Sequence, residues 1–128
     1  MRILFKISFV LMTFCFITIS NASESKLIYF YESGCRWCTY MDEVINDSSI
    51  KNILLKNTDI IRVDVHGKGT IEGELTEKEL ARKYRVNSVP TLIFLNTNRE
   101  ELLRVPGAIT KEDFRSLLCD NLMNFYNC

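Results

Sequence analysis

The sequence lacks an excess of charge of either sign. Its 128 residues include 16 Lys and Arg against 16 Asp and Glu, so the formal charge at neutral pH is zero. A protein that binds nucleic acid usually carries a clustered basic face that neutralises phosphates. The composition therefore argues against nucleic acid as a partner.

The sequence also lacks the ligand sets of common metal and haem sites. Structural zinc needs four ligands, usually in two closely spaced pairs. The chain has one Cys-x-x-Cys pair, Cys35–Cys38, and its other candidate ligands are scattered, at His66, Cys119 and Cys128. A c-type haem site would need histidine after the second cysteine, where Thr39 stands. We therefore predict no metal site and no haem.

The chain has no apolar run of the length that a membrane span requires, which is about 20 residues. A shorter run, residues 7–19, follows Arg2 and Lys6 and precedes small residues at Ser20–Ala22. This order is typical of a secretory signal peptide. We interpret residues 1–22 as a cleaved export signal, with an uncleaved membrane anchor as the alternative.

The remaining residues, 23–128, have the size of one globular domain. They carry 14 basic and 16 acidic residues, a formal charge of −2, and four of the five cysteines. Export would place the domain in the periplasm or another extracytoplasmic compartment, where disulfides persist. The Cys35–Cys38 pair could then rest oxidised or be kept reduced by a dedicated electron supply, and the sequence leaves both open.

The most informative feature that is present is the run Cys35-Arg36-Trp37-Cys38. It follows an apolar segment rich in β-formers, residues 26–31, and precedes residues 38–47, where apolar side chains recur at helical spacing. A Cys-x-x-Cys pair at a strand-to-helix junction is a redox arrangement. A permanently closed structural disulfide is the alternative that export allows.

Each residue around the pair suits this chemistry. The helix N-terminus and Arg36 both favour the thiolate, so we expect a lowered pKa for Cys35. Cys38, one turn into the helix, should be less exposed and should resolve the mixed disulfide. Trp37 either forms an apolar lip for a partner or is partly buried against the helix. Gly34 would let the chain turn tightly and let the partner's backbone approach.

The rest of the chain alternates helical and extended patterns. We predict a second helical segment capped at Ser48-Ser49, a strand at 59–65, a polar loop at 66–74, a helix from the capping box Thr76–Glu79, a hairpin of strands 91–95 and 101–105, and a last helix after Thr110. Strands separated by helices, followed by a hairpin and a helix, form a mixed sheet covered on both faces.

Together these motifs resemble the thioredoxin superfamily. The resemblance rests on the Cys35–Cys38 pair after the first strand, on Val89-Pro90-Thr91 before an apolar strand, and on Gly107 after the final hairpin. It covers residues 26–123. It implies an α/β thioredoxin fold, with a central mixed sheet of four to five strands flanked by helices on both faces.

A narrower resemblance is to the exported, periplasmic thioredoxins linked to sulfur-oxidation gene clusters. It rests on residues 80–86, on the hairpin end at 104–107 and on the glycine-bearing insertion at 66–74. It implies a membrane thiol transporter as the electron donor and targets in sulfur oxidation or cytochrome c maturation. Dedicated oxidants of the superfamily carry an inserted helical domain, which the 66–74 loop is too short to supply.

The resemblance also implies roles for single residues. Cys35 matches the nucleophilic cysteine, Cys38 the resolving cysteine, and Pro90 the cis-proline that faces them. A cis Val89–Pro90 bond would leave the backbone of Val89 free to pair with an extended substrate segment and would exclude a metal from the thiols. The alternative is a trans proline that begins an edge strand.

Two positions depart from the family pattern. Tyr29 stands where thioredoxins bury an aspartate six residues before the first cysteine, and Ile60 replaces the partner lysine. The carboxylate that handles protons in the family is therefore absent, and Glu32 is a candidate substitute.

Cys119 and Cys128 leave two arrangements open. In an unbroken helix, nine residues would separate them by about 13.5 Å, which is too far for a disulfide. A disulfide would therefore require the tail to turn back and pin itself to the last helix. Otherwise Cys119 is buried, and Cys128 is free or linked to a partner.

The sequence as a whole predicts an exported, monomeric thiol–disulfide oxidoreductase that reduces disulfides in partner proteins. Its redox centre would be the Cys35–Cys38 pair, with no other cofactor. The alternatives are a non-catalytic thioredoxin-fold module that binds peptides, and a disulfide oxidant or isomerase.

Overall fold

A computed structural model describes residues 25–71 and 73–122, so the predicted signal segment and Cys128 lie outside the described residues. The elements in chain order are β1 (Ser25–Tyr31), α1 (Arg36–Asn46), α2 (Ser48–Asn57), β2 (Thr58–Asp64), β3 (Thr70–Ile71), β4 (Leu75–Thr76), α3 (Glu77–Lys83), β5 (Thr91–Leu95), β6 (Glu101–Pro106) and α4 (Lys111–Asn121). Among these helices, none is both long enough and apolar enough to cross a membrane.

Four strands form a mixed sheet in the order β2-β1-β5-β6. β1 pairs with β2 in parallel, and the antiparallel pairs are β1–β5 and β5–β6. A parallel pair needs a crossover connection, which α1 and α2 supply here. The central strands β1 and β5 are the most apolar and the most buried. The predicted mixed sheet is confirmed, with four strands.

Alternation along β1 gives each face of the sheet its own core. Leu27 and Tyr29 pack with apolar residues of α1, α2 and α4, whereas Ile28 and Phe30 pack with α3. The prediction of helices on both faces is therefore confirmed. Helix α1, which is capped by Cys35 and contains Cys38, packs on the larger of these two cores.

Several predicted helix boundaries need correction. Helix α1 begins at Arg36, two residues earlier than predicted, because the Cys35 side chain acts as its N-cap. Asp47, not Ser48-Ser49, caps α2, since its carboxylate accepts a 3.0 Å hydrogen bond from the Ser49 amide. The capping box of Thr76 and Glu79 at α3 is confirmed.

The predicted loop at 66–74 contains β3, which pairs with β4 directly after it, and α3 is hydrogen-bonded to the residues before β3. The Glu77 carboxylate accepts a hydrogen bond of 3.1 Å from the Asp64 amide at the end of β2. The Glu77 amide in turn donates to the Gly69 carbonyl at 2.9 Å, and the Lys78 amide donates to the Gly67 carbonyl. The first turn of α3 is thereby tied to the segment that follows β2.

Candidate redox site

Cys35 and Cys38 form a disulfide at the N-terminus of α1, with their Cα atoms 5.2 Å apart. The Cys38 amide donates to Cys35 Sγ at 3.1 Å, so the outer sulfur accepts one of the amide hydrogens that a helix N-terminus leaves unpaired. Cys35 is partly exposed, whereas Cys38 is 3% exposed. A partner can therefore reach the outer sulfur, and the inner sulfur lies beneath it.

The turn before the cysteines contains Gly34 at φ +81°. L-residues with a side chain rarely adopt this left-handed conformation. A β-carbon added at Gly34 would meet no heavy atom within 4 Å. The conformation, rather than crowding, accounts for glycine here, and the space beside the turn is open.

Two exposed aromatic side chains, Trp37 and Tyr40, form what we call the aromatic lip. They are 57% and 37% exposed, and their rings meet edge to face with centroids 6.1 Å apart. The Arg36 guanidinium lies 5.7 Å from the Trp37 ring centroid. More than half of Trp37 is therefore open to solvent, and its contact with a partner stays a prediction.

The proline segment faces this lip. The Val89–Pro90 peptide bond is cis. Trp37, Val89, Pro90, Gly107 and Ala108 line a cavity of about 250 Å³, the proline cavity. The Gly107 amide donates to the Pro90 carbonyl at 2.8 Å, which ties the loop after β6 to the proline. Residues from three distant segments of the sequence therefore meet beside the disulfide.

Tyr29 lies beneath the disulfide, fully buried. Its hydroxyl donates a 2.9 Å hydrogen bond to the main-chain carbonyl of Cys38. Burial raises the pKa of Tyr29 well above its usual range, and the Asp42 carboxylate adds to the shift. The phenol is therefore neutral at physiological pH and does not replace a carboxylate as a base.

Arg62 covers Tyr29 from the neighbouring strand. It lies opposite Tyr29 in the β1–β2 register, with its guanidinium 4.8 Å from the Tyr29 ring centroid and 4.7 Å from that of Tyr31. It also contacts both Asp42 oxygens, at 2.6 and 3.3 Å. The hydrogen bond to Asp42 raises the pKa of Arg62.

Sequence reasoning missed this cluster of Tyr29, Tyr31, Asp42 and Arg62. Its one signal in the sequence is the spacing of the two tyrosines, which places them on one face of β1. The arginine can be assigned to that face only once the pairing of β1 with β2 is known.

The remaining predicted residues lie apart from the disulfide or serve other contacts. Glu32, the candidate proton carrier, pairs with His66 Nε2 at 2.9 Å. Ile60 packs against the core that contains Tyr29. Cys119 lies on α4, and its pairing with Cys128 falls outside the described residues. Within residues 25–71 and 73–122, no three His, Cys, Asp or Glu side chains are grouped to hold a metal.

A family described as a thioredoxin-like domain matches residues 16–121. The match includes Cys35 and Cys38, the proline segment and the ten helices and strands of the described residues. A search of curated proteins found no match.

Solved structures show the same fold. A thioredoxin from Thermus thermophilus is 28% identical, with a TM-score of 0.63 over 82% of this chain and 78% of that one. A thioredoxin-fold protein from Helicobacter pylori is 17% identical, with a TM-score of 0.67 over 81% and 73%. A DsbH oxidoreductase is 21% identical, with a TM-score of 0.64 over 80% and 74%. The architecture is the thioredoxin fold, as the sequence predicted.

Proposed function

This chain belongs to the thioredoxin-like domain family, and we propose that it is a thiol–disulfide oxidoreductase that reduces disulfides in partner proteins. One observation carries the proposal. The Cys35–Cys38 disulfide lies at the N-terminus of α1, with its outer sulfur reachable, its inner sulfur buried and the proline cavity beside it.

The reduced pair would act in two exchanges. The Cys35 thiolate attacks one sulfur of the substrate disulfide, and the other substrate sulfur leaves as a thiolate. The Cys38 thiolate then attacks Cys35 Sγ, breaks the mixed disulfide and releases the second substrate sulfur. Two electrons pass to the substrate, whose thiolates take protons from water, and the protein is left with the Cys35–Cys38 disulfide. A dithiol donor must reduce this disulfide before the next turnover.

The surroundings of the pair support a peptide as the substrate. An extended segment pairing with the Val89 backbone would lie across the outer sulfur, in the manner of strand addition. The aromatic lip offers an apolar contact for that segment, and the proline cavity could accept one of its side chains. Gly34, at the open turn, would let the segment's backbone come close.

The cellular setting is also part of the proposal. The pattern of residues 1–22 supports export, and the resemblance to exported thioredoxins supports a monomer that receives electrons from a membrane thiol transporter. Proteins of sulfur oxidation or cytochrome c maturation are then the substrate class to test first. A reductant and a strong oxidant differ in reduction potential. For a reductase we expect a potential of about −270 mV for the Cys35–Cys38 pair, whereas a strong oxidant would have one of about −120 mV.

Two substitutions test the reaction. The wild type should accelerate the reduction of insulin by dithiothreitol. The Cys35→Ser variant should not, because the attacking thiolate is gone. With Cys38→Ser, the mixed disulfide should accumulate, and non-reducing mass spectrometry should detect it. A Cys35→Ser protein that still captures partners as well as the wild type would indicate a binding module instead, which is the alternative function.

A further inference from the structure

A second cavity lies next to Val89. It has a volume of about 320 Å³ and is lined by Glu32 directly after β1, the segment after β2, α3 and residues 86–89. Val89 lines both this cavity and the proline cavity. Glu32, which also lines the second cavity, accepts a 3.3 Å hydrogen bond from the Cys35 amide through its main-chain carbonyl. The second cavity therefore adjoins the redox pair.

This second cavity, which we call the basic cleft, has more positive than negative charge in its wall. Its charged or ionisable side chains are Glu32, His66, Lys78 and Arg82. The one carboxylate, that of Glu32, is held by His66 at 2.9 Å. Lys78 and Arg82 stand one helical turn apart on α3, and both are exposed.

The two α3 cations are available to a ligand. Across the described residues, neither Lys78 nor Arg82 has a carboxylate oxygen within 4.0 Å. Hydrogen bonds from the Thr76 amide and hydroxyl lower the pKa of Glu79, and the positive charge of Arg82 adds a smaller part. The Glu79 carboxylate is thus engaged by Thr76 and not by a direct contact with Arg82. The cleft thus presents one ammonium and one guanidinium group, neither of which is paired with a carboxylate of the described residues.

Part of the cleft wall is apolar and made of small side chains. Val65, Ala81 and Val86 are among the lining residues, as are the two cations of α3. An apolar wall suits the methylene stem of an acidic side chain, and the cations suit its carboxylate. A long aromatic side chain would instead match the proline cavity, next to the aromatic lip.

We propose that the basic cleft binds the side chain of an acidic residue that flanks the reactive cysteine of the substrate. The inference rests on the proposed function and adds a substrate class to it, namely disulfide-bearing proteins with Glu or Asp next to the attacked cysteine. A substrate segment paired with Val89 passes between the two cavities, so one flanking side chain enters the cleft while Cys35 attacks the sulfur.

A pair of synthetic peptides tests this specificity. Both carry the same disulfide, and the residues flanking one cysteine are Glu in the first peptide and Gln in the second. The rate constant for reduction of each peptide by the reduced protein is measured by chromatography of the products. The wild type should reduce the Glu peptide about three- to tenfold faster, which is the effect of one or two exposed ion pairs.

A double variant and a matched control separate the cleft from overall charge. Lys78→Gln with Arg82→Gln should bring the Glu peptide to the rate of the Gln peptide and leave the Gln peptide unchanged. Lys51→Gln with Arg115→Gln removes the same charges from α2 and α4, on the opposite face of the sheet, and should keep the preference. The preference should also shrink at high salt.

The possible failures are distinguishable. Equal rates for the two peptides with the wild type would overturn the proposal of an acidic subsite and leave the proposed reductase function standing. If the Lys51→Gln, Arg115→Gln control loses the preference for the Glu peptide as fully as the cleft variant does, the proposed acidic subsite is also overturned, since overall charge would then explain the effect. If neither peptide is reduced, the proposed function itself fails.

Discussion

The Tyr29 hydroxyl donates a hydrogen bond of 2.9 Å to the main-chain carbonyl of Cys38. This contact joins the central strand β1 to the first turn of α1, directly beneath the disulfide. Tyr29 stands at the position where thioredoxins have a buried carboxylate. A neutral phenol does not act as a base there, and its hydrogen bond supports the helix. Tyr29 is therefore a structural contact of the redox turn.

Tyr29→Phe should destabilise the protein and leave the proposed reductase activity in place. Removing the hydroxyl deletes one buried hydrogen bond, which contributes about 1 kcal/mol to the free energy of unfolding. Urea unfolding of the oxidised protein measures the loss. Tyr31→Phe is the matched control, because the Tyr31 hydroxyl forms no hydrogen bond with any of the residues that the structure describes. Equal stability of the two variants would contradict the assigned role of the Tyr29 hydroxyl.

The raised pKa of Tyr29 predicts an alkaline loss of stability. In the unfolded chain a tyrosine releases its proton at about pH 10, whereas the buried phenol of Tyr29 keeps its proton to higher pH. Above that pH the unfolded state binds fewer protons than the folded state, so the free energy of unfolding falls as pH rises. Urea midpoints between pH 8 and pH 11 should fall less steeply for Tyr29→Phe than for the wild type.

Arg62→Ala should destabilise the protein more than Arg62→Lys does. The alanine variant loses the two-point contact with Asp42 and the stacking on two tyrosine rings, whereas lysine keeps a charge. Since the pair is partly exposed, we expect a loss of about 1 kcal/mol. A double-mutant cycle with Asp42→Asn would isolate the ion pair, and a coupling of zero would assign the whole effect to the rings.

Trp37→Ala should weaken substrate recognition without changing stability. The side chain is 57% exposed, so its removal takes little area from the core. A central aromatic contact of an interface contributes on the order of 1 kcal/mol or more, and we expect kcat/KM for insulin to fall about fivefold. Leu55→Ala, a similarly exposed apolar residue on α2, is the control. Comparable losses in both variants would show that the lip has no special role.

Features within one segment of the sequence were predictable. Cys35 and Cys38 could be placed at a strand-to-helix junction because the apolar strand and the helical spacing flank them directly. The capping box of Thr76 and Glu79 was found for the same reason, since a cap acts over four residues. The order of strands and helices along the chain then predicted a mixed sheet covered by helices on both faces.

Other features were not predictable from the sequence, because they depend on which side chain caps a helix or faces another strand. The predicted start of α1 was two residues late, because a cysteine is not among the usual N-cap residues, and Cys35 fills that position. The contact of Arg62 with Asp42 joins residues 20 apart and requires the exact pairing of β1 with β2. The basic cleft likewise gathers residues from four segments.

Gly67 has no room for a side chain. A β-carbon at this position would lie 3.0 Å from the Glu77 β-carbon and would collide with the same carboxyl group that accepts the Asp64 amide. Replacing Gly67 by alanine would thus push the Glu77 carboxylate off the end of β2 and disturb the start of α3. Since His66 and Lys78 adjoin this junction, the selectivity proposed for the basic cleft should change when a methyl group is added at Gly67, which is not among the residues that line the cleft.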